Sequence, residues 1–151
     1  GEIAVRGPQV MAGYWQRPDE TARVMTRDGF LRTGDIGAVD ERGCFSLVER
    51  KKDLIMVGGL HVFPSEIESA VATLPGVLEC AACGVPDGGE GEAVKLVVVR
   101  SDPQLAEADI RAFCDAHLAV YKRPRSIEFR EALPRSAIGK LLRRQLRAAA
   151  A

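Results

Sequence analysis

Leu54-Ile55-Met56-Val57-Gly58-Gly59-Leu60-His61-Val62-Phe63-Pro64-Ser65-Glu66-Ile67-Glu68 is the stretch from which the fold can be read. Four apolar residues stop at a glycine pair, which predicts a short strand over residues 54–57. The pair itself fits either a tight turn or a close backbone approach to something extended. Pro64-Ser65-Glu66-Ile67-Glu68 predicts a helix start, with Ser65 as cap and Glu68 completing a capping box. Ile67, Ala70, Val71 and Leu74 then share one helical face, and Gly76 is placed to close the helix. Downstream the pattern alternates. Residues 77–85 and 93–100 predict strands around the loop 86–91. Residues 107–118 predict a helix with Ile110, Phe113, Cys114 and His117 along one stripe. A strand near residues 126–129 and a helix from about Leu141 follow. One sheet with helices packed on it, in an α+β arrangement, is the fold class this order implies.

Upstream the texture differs. Residues 1–48 hold seven glycines and no lysine, with apolar stretches split by turn residues. A strand over 2–6, a helix over 18–25 and a small antiparallel meander ending in a strand over 44–48 are expected. This part is too short and glycine-rich to bury a core of its own. Gly1 opens directly on strand-like sequence, so the chain reads as a piece of a longer protein.

The whole chain has 151 residues, 46% hydrophobic and 28% charged, with 21 basic against 21 acidic residues. Zero net charge excludes a generally polybasic or polyacidic protein, and no apolar run approaches the ~20 residues that span a bilayer. No secretory pattern opens the chain. The balance is nevertheless uneven: from Tyr121 onward nine basic residues face two acidic ones, a net of +7. That end suits either a solvated helix face or an anionic partner. Of the four cysteines, Cys80 and Cys83 form a lone CxxC with no second pair and no histidine to complete a zinc site. The residues around them read as a buried strand, where a thiol serves as a small hydrophobe. Free thiols fit a reducing cytoplasm, and no metal site is expected. His117 reads as a helix residue rather than a ligand or base.

Three segments carry chemical potential. Thr33-Gly34-Asp35, expected in a turn, offers a carboxylate able to accept two hydrogen bonds from a vicinal diol, or else a turn-stabilising Asp. Glu49-Arg50-Lys51-Lys52-Asp53 packs five charges between two apolar strands, so it is either a polar linker or a hinge. Residues 133–140 end in Gly139-Lys140, but the GxxxxGK[ST] spacing is missing, which excludes a Walker loop. What remains is a loop offering one ammonium as a point charge for a phosphate or carboxylate.

Taken in order, these blocks resemble the C-terminal part of the acyl-adenylate-forming superfamily, most like bacterial fatty-acyl-CoA ligases. The resembling blocks are Gly1-Glu2-Ile3 to Gly13-Tyr14-Trp15, Gly29 to Gly37, Glu49 to Asp53 with Gly59 and Pro64 to Glu68, Gly84-Val85-Pro86-Asp87, Tyr121-Lys122-Arg123-Pro124, and Leu133-Pro134 to Gly139-Lys140-Leu141-Leu142-Arg143-Arg144. The resemblance implies a two-step enzyme. A carboxylate and ATP give acyl-AMP and pyrophosphate, then coenzyme A displaces AMP to give acyl-CoA. It implies residues 1–50 as the β-rich remnant of a large N-terminal domain, 51–53 as a hinge, and 54–151 as a small lid. By position, Lys140 resembles the lysine that bridges carboxylate and α-phosphate, Asp35 the ribose-binding aspartate, and Arg50 the arginine beside it. Lys52 falls at the hinge. Gly58 and Gly59 lie where the lid approaches the pantetheine channel, and Tyr121 and Arg123 where relatives hold the CoA nucleotide. Met56 stands where some relatives carry a second lysine, and packing is its only expected role. ATP, coenzyme A and Mg2+ are implied as ligands, the last held mainly by the N-terminal part, and a fatty acid as substrate. The resemblance further implies a cytoplasmic enzyme, or one peripheral at the membrane, with no nucleic-acid partner. The phosphate loop, adenine pocket and acyl pocket precede Gly1 in the family, so these residues alone are not expected to make acyl-adenylate. The alternatives are an acyl-AMP ligase that loads a carrier protein and a non-catalytic nucleotide- or CoA-binding module.

Overall fold

A computed structural model describes residues 1–89 and 91–147. The chain divides into two compact units, Gly1–Lys52 and the residues from Asp53 onward.

The first unit is an antiparallel meander of β1 (Glu2–Val5), β2 (Leu31–Val39) and β3 (Phe45–Arg50), with helix α1 (Pro18–Val24) inserted between the first two strands. Pro18 opens α1 and Asp19 and Glu20 follow in its first turn, where a missing amide donor is harmless and negative charge is favoured. The turn from β2 to β3 is fixed by Asp40, whose Oδ1 accepts from the amides of Arg42 and Cys44 at 2.9 and 2.8 Å. Gly37 is the single buried residue described in this unit. A Cβ there would lie 2.6 Å from the Ile3 side chain and 2.9 Å from the Ser46 carbonyl, so the strands approach only because the side chain is missing. Large apolar groups stay outside: Trp15 is 88% exposed, Phe45 74% and Leu47 73%. The unit has no core of its own, as its composition implied.

The sequence placed Thr33-Gly34-Asp35 in a turn, and the structure corrects this. The three residues lie inside β2, where they form a bulge opposite Ile3 as the register steps from Ala4↔Arg32 to Glu2↔Ile36. Gly34 takes a φ of +74°, and the Thr33 hydroxyl stitches the bulge by donating to the Ile3 carbonyl at 2.9 Å and accepting from the Asp35 amide at 3.1 Å. A strand that must pair on both edges absorbs extra residues in this way, where sequence alone suggests a break.

The second unit is the α+β domain. Its sheet has the order β6-β7-β8, with β6 (Val77–Pro86) antiparallel to β7 (Glu92–Arg100) and β8 (Ser126–Arg130) parallel to it. A parallel neighbour needs a crossover, and α3 (Glu107–His117) supplies it. β7 is apolar on both faces because it is central. Val94, Leu96 and Val98 join a core with Ile67 and Val71 of α2 (Pro64–Val71) and Ile110 and Cys114 of α3. Val97 and Val99 face a second core with Ala81, Cys83, Leu133 and Leu146. Leu146 belongs to α4 (Arg143–Arg147), a helix of five residues that is too short to stand without such tertiary support. No described helix is long and apolar enough to cross a membrane.

Three local expectations change. The glycine pair is the turn of a hairpin between β4 (Ile55–Val57) and a strand the sequence did not reveal, β5 (Leu60–Val62), with φ of +55° and +82° at Gly58 and Gly59. Ser65 is not the cap of α2: Pro64 opens the helix and Phe63 precedes it with no side-chain cap bond. Glu68 reaches β6 instead, and its Oε1 accepts the Ala82 amide at 2.7 Å. Helix α2 also ends at Val71 rather than at Gly76, which sits at φ +90° just before β6.

Candidate functional site

In the first unit the β2–β3 register sets Asp35 directly opposite Arg50. The Arg50 Nε lies 3.1 Å from Asp35 Oδ1, with the arginine mostly exposed. Thr33, Gly34, Arg50, Lys51 and Lys52 line a shallow cavity of about 300 Å³ beside this pair. Lys51 binds Glu2 at 2.9 Å and, by that hydrogen bond, holds the Glu2 carboxyl below its ordinary range. The bulge thus presents a carboxylate, a guanidinium and backbone at one edge, a set suited to hydroxyl and anionic groups. Lys52 lies in the 3-10 turn Lys51–Asp53, where one unit passes into the next.

In the second unit the loop that ends in Lys140 is closed into a turn. Arg135 and Leu141 form an isolated bridge. The Ser136 amide donates to the Lys140 carbonyl at 2.8 Å, and the Lys140 amide donates to Ser136 Oγ at 3.1 Å. The side chain is exposed and, among the described residues, meets no hydrogen-bond or ion-pair partner. That freedom is exceptional in its neighbourhood. Lys122 pairs with Glu66, Arg123 with Asp115, Arg125 with Asp87, and Arg130 with Glu128. Arg135 pairs with Glu79, Arg143 with Glu68, and Arg147 with Glu92. The +7 end is therefore largely neutralised by acids from elsewhere in the unit. Among its nine cations only Lys140 and Arg144 stay without an acidic partner among the described residues.

Gly58 and Gly59 lie at an exposed hairpin tip, with open space where a Cβ would stand. The turn carrying Tyr121 packs beside β5 of that hairpin. Arg123 is engaged internally. Its Nε donates to the Leu118 carbonyl at 3.1 Å and its Nη2 to the Asp115 carbonyl at 2.8 Å, while Nη1 lies 3.0 Å from the Asp115 carboxylate. It caps the end of α3, and a phosphate would have to compete with those bonds. Met56 is partly exposed in β4, and its amide donates to Glu92 Oε2 at 3.0 Å.

The Arg143–Glu68 link was not legible in the sequence. Arg143 Nη2 donates to Glu68 Oε2 at 3.0 Å, Nη1 meets Oε1, and Nη1 also donates to the Ala82 carbonyl at 2.9 Å. This ring of bonds fastens the segment behind Lys140 to α2 and β6. The signal was present in the charge asymmetry: a net +7 end in a neutral chain requires acids elsewhere. The four cysteines are free, and Cys83 and Cys114 are buried. Burial pushes the Cys80 thiol up to about 12, so it stays protonated and packs as a small hydrophobe. His117 stacks on Phe113 with ring centroids 4.1 Å apart. No described group of histidines, cysteines and carboxylates could hold a metal ion.

The site as built offers an exposed lysine on a stapled turn in the small α+β domain, and an Asp–Arg pair in the β-meander that precedes it in the chain. Residues 66–140 match the family model described as AMP-binding enzyme C-terminal domain, and this part of the chain belongs to that family. Over 147 residues the chain is 55% identical to a long-chain-fatty-acid–CoA ligase of Salmonella typhimurium, covering 97% of this chain and 26% of that protein. Among solved structures it is similar to ATP-bound MatB from Rhodopseudomonas palustris, with a TM-score of 0.90 and 42% identity over 97% of this chain and 29% of the other. It is also similar to o-succinylbenzoate CoA synthetase from Bacillus subtilis in complex with an acyl-adenylate intermediate, with a TM-score of 0.82 and 35% identity over 99% and 31% of the two chains. The chain thus spans about a quarter of the length of the curated relatives it matches.

Proposed function

We propose that these residues are the C-terminal part of an ATP-dependent acyl-CoA ligase acting on a fatty acid. In the first step a carboxylate oxygen attacks the α-phosphorus of ATP, and pyrophosphate leaves. In the second the sulfur of coenzyme A attacks the acyl carbonyl, and AMP leaves. Neither step needs a protein nucleophile. Both need negative charge on phosphate and carboxylate oxygens to be offset in the transition state.

The observation that carries this reading is the free ammonium of Lys140 in a segment whose other cations are nearly all paired. A compact, unpartnered ammonium on a flexible stem suits a point charge placed between a carboxylate and an α-phosphate. Asp35 accepts the two ribose hydroxyls, with Arg50 holding the carboxylate from the next strand. Lys52 marks the hinge between residues 1–50 and 54–151, about which the lid reorients between the two steps. Gly58, Gly59 and Tyr121 form the edge offered to coenzyme A in the second step, and Arg123 supports that edge by capping α3. Mg2+ is assigned mainly to the N-terminal part, with the substrate phosphates sharing its coordination.

The test uses the full-length ligase carrying this chain. Lys140→Ala should lower acyl-AMP formation, followed by pyrophosphate release, by at least about a hundredfold, in line with loss of one electrostatic stabiliser. Thioester formation from supplied acyl-AMP and coenzyme A should stay within about twofold. Equal loss in both half-reactions, or unchanged acyl-AMP formation, would show that Lys140 is not the cation specific to adenylation, and absence of acyl-AMP formation in the unaltered full-length protein would overturn the ligase reading.

A further inference from the structure

The turn that carries Lys140 is braced by a side chain of its own loop. Arg135 Nη1 donates to the Gly139 carbonyl at 3.0 Å, while Nη2 binds Glu79 of β6 at 2.5 Å. The Gly139 carbonyl and the Lys140 amide belong to one peptide plane. The carbonyl end is held by Arg135 and the amide end by Ser136 Oγ at 3.1 Å. Gly139 itself sits at φ +77°, a conformation that only glycine adopts readily. With both ends of the plane pinned, its rotation is fixed, and with it the direction in which the Lys140 side chain leaves the backbone. The ion pair that anchors this brace is largely in water, with Arg135 49% and Glu79 31% exposed. Such a pair adds little to stability, since its Coulomb gain is offset by solvent screening and by ordering two long side chains. Its consequence is local: it ties the lysine turn to the sheet.

We propose that Arg135 is a positioning residue for Lys140, with Glu79 as its anchor on β6. This rests on the ligase reading, and it assigns Arg135 no contact with substrate. Near-attack geometry is steep enough that a displacement of about 1 Å costs about a hundredfold in rate. A turn that keeps its Ser136 bonds but loses one brace should lose less, about tenfold.

Arg135→Ala, Glu79→Ala and Lys140→Ala are compared in the full-length ligase. Both Arg135→Ala and Glu79→Ala should slow acyl-AMP formation about tenfold through kcat, with KM for ATP within about twofold and the thermal midpoint within about 2 °C. Thioester formation from supplied acyl-AMP should be unchanged. Glu79→Ala is the decisive variant because it keeps the Arg135 charge and frees it. A direct phosphate contact by Arg135 would leave this variant as active as the parent or more so, and that result would overturn the proposal. Parallel loss in both half-reactions with a lowered thermal midpoint would overturn it too, since the brace would then be merely structural. The 151-residue chain supplies a readout independent of activity: amide hydrogen exchange at Lys140 should quicken about tenfold in Glu79→Ala, and unchanged exchange would refute the brace. If instead the unaltered full-length protein forms no acyl-AMP while exchange responds as expected, the ligase reading fails and the brace stands.

Discussion

Arg143 and Arg144 are neighbours in sequence with opposite surroundings, and replacing each by alanine should separate them sharply. Arg143 is 18% exposed and its partner Glu68 19%. Its fork makes two contacts with the carboxylate and a third with the Ala82 carbonyl at 2.9 Å. Removing one member of a buried pair costs about 3–5 kcal/mol, because the survivor keeps an uncompensated charge. Here Glu68 retains the Ala82 amide at 2.7 Å, and water reaches about a fifth of the side chain. Both features soften the loss, so about 2–4 kcal/mol is expected. In a domain of this size each kcal/mol moves the thermal midpoint by about 4–8 °C, so a fall of about 8–32 °C follows. Arg144 is exposed and has no acidic partner among the described residues, so Arg144→Ala should stay within about 0.5 kcal/mol. Arg143→Lys keeps the charge but cannot reproduce the fork, and should fall between the two. Thermal melts of the 151-residue chain and its three variants at neutral pH measure all of this. Equal shifts for the two alanine variants, or a shift under about 3 °C for Arg143→Ala, would refute the view that the fork fastens the tail to α2 and β6.

The pH profile should fall at both ends. Hydrogen bonds from Arg130 and Lys95 hold the Glu128 carboxyl below its ordinary 4.5, so its contribution is complete above that value and is lost as pH falls through the folded pKa. The Glu66 bond raises Lys122 above its ordinary 10.5, so that contribution is complete below 10.5 and is lost as pH rises further. Glu128→Gln should flatten the acid limb of a plot of thermal midpoint against pH, and an unaltered limb would show that other carboxylates control it. Thiol labelling gives a second check: in the native chain Cys44, which is exposed, should alkylate first, while buried Cys83 and Cys114, their thiols raised by desolvation, should react only on unfolding. Mass spectrometry of a short alkylation pulse would read the order, and prompt labelling of Cys83 would contradict the second core.

Periodic sequence was legible where burial repeats. The nearly continuous apolar run through 93–100 and the stripe of Ile110 and Cys114 become β7 and α3, because both faces of a central strand and one face of a helix meet a core. Features set by pairing with distant strands were not. Thr33-Gly34-Asp35 looks like a turn by composition, and becomes a bulge only because β2 has partners on both sides. Leu60-His61-Val62 is three residues long, too short to show a period, and exists as a strand only by pairing with Ile55–Val57. The Ser65–Glu68 capping pattern is locally sound, yet Glu68 gains more from a bidentate guanidinium than from its own helix start.

The same distinction governs the site. Charge can be counted along a sequence, but its neutralisation depends on three-dimensional neighbours: Lys122 and Arg135 meet acids 56 residues away, and Arg143 meets one 75 residues away. A long basic stretch thereby becomes a scaffold of ion pairs, and the unpaired cations stand out against it. Lys140 has no counter-ion to surrender before it meets an anion, and a turn braced by Ser136 and Arg135 spares it most of the ordering cost. An ammonium set out in this way retains its attraction for whichever anionic group it is brought to. The paired arginines around it spend theirs on the fold.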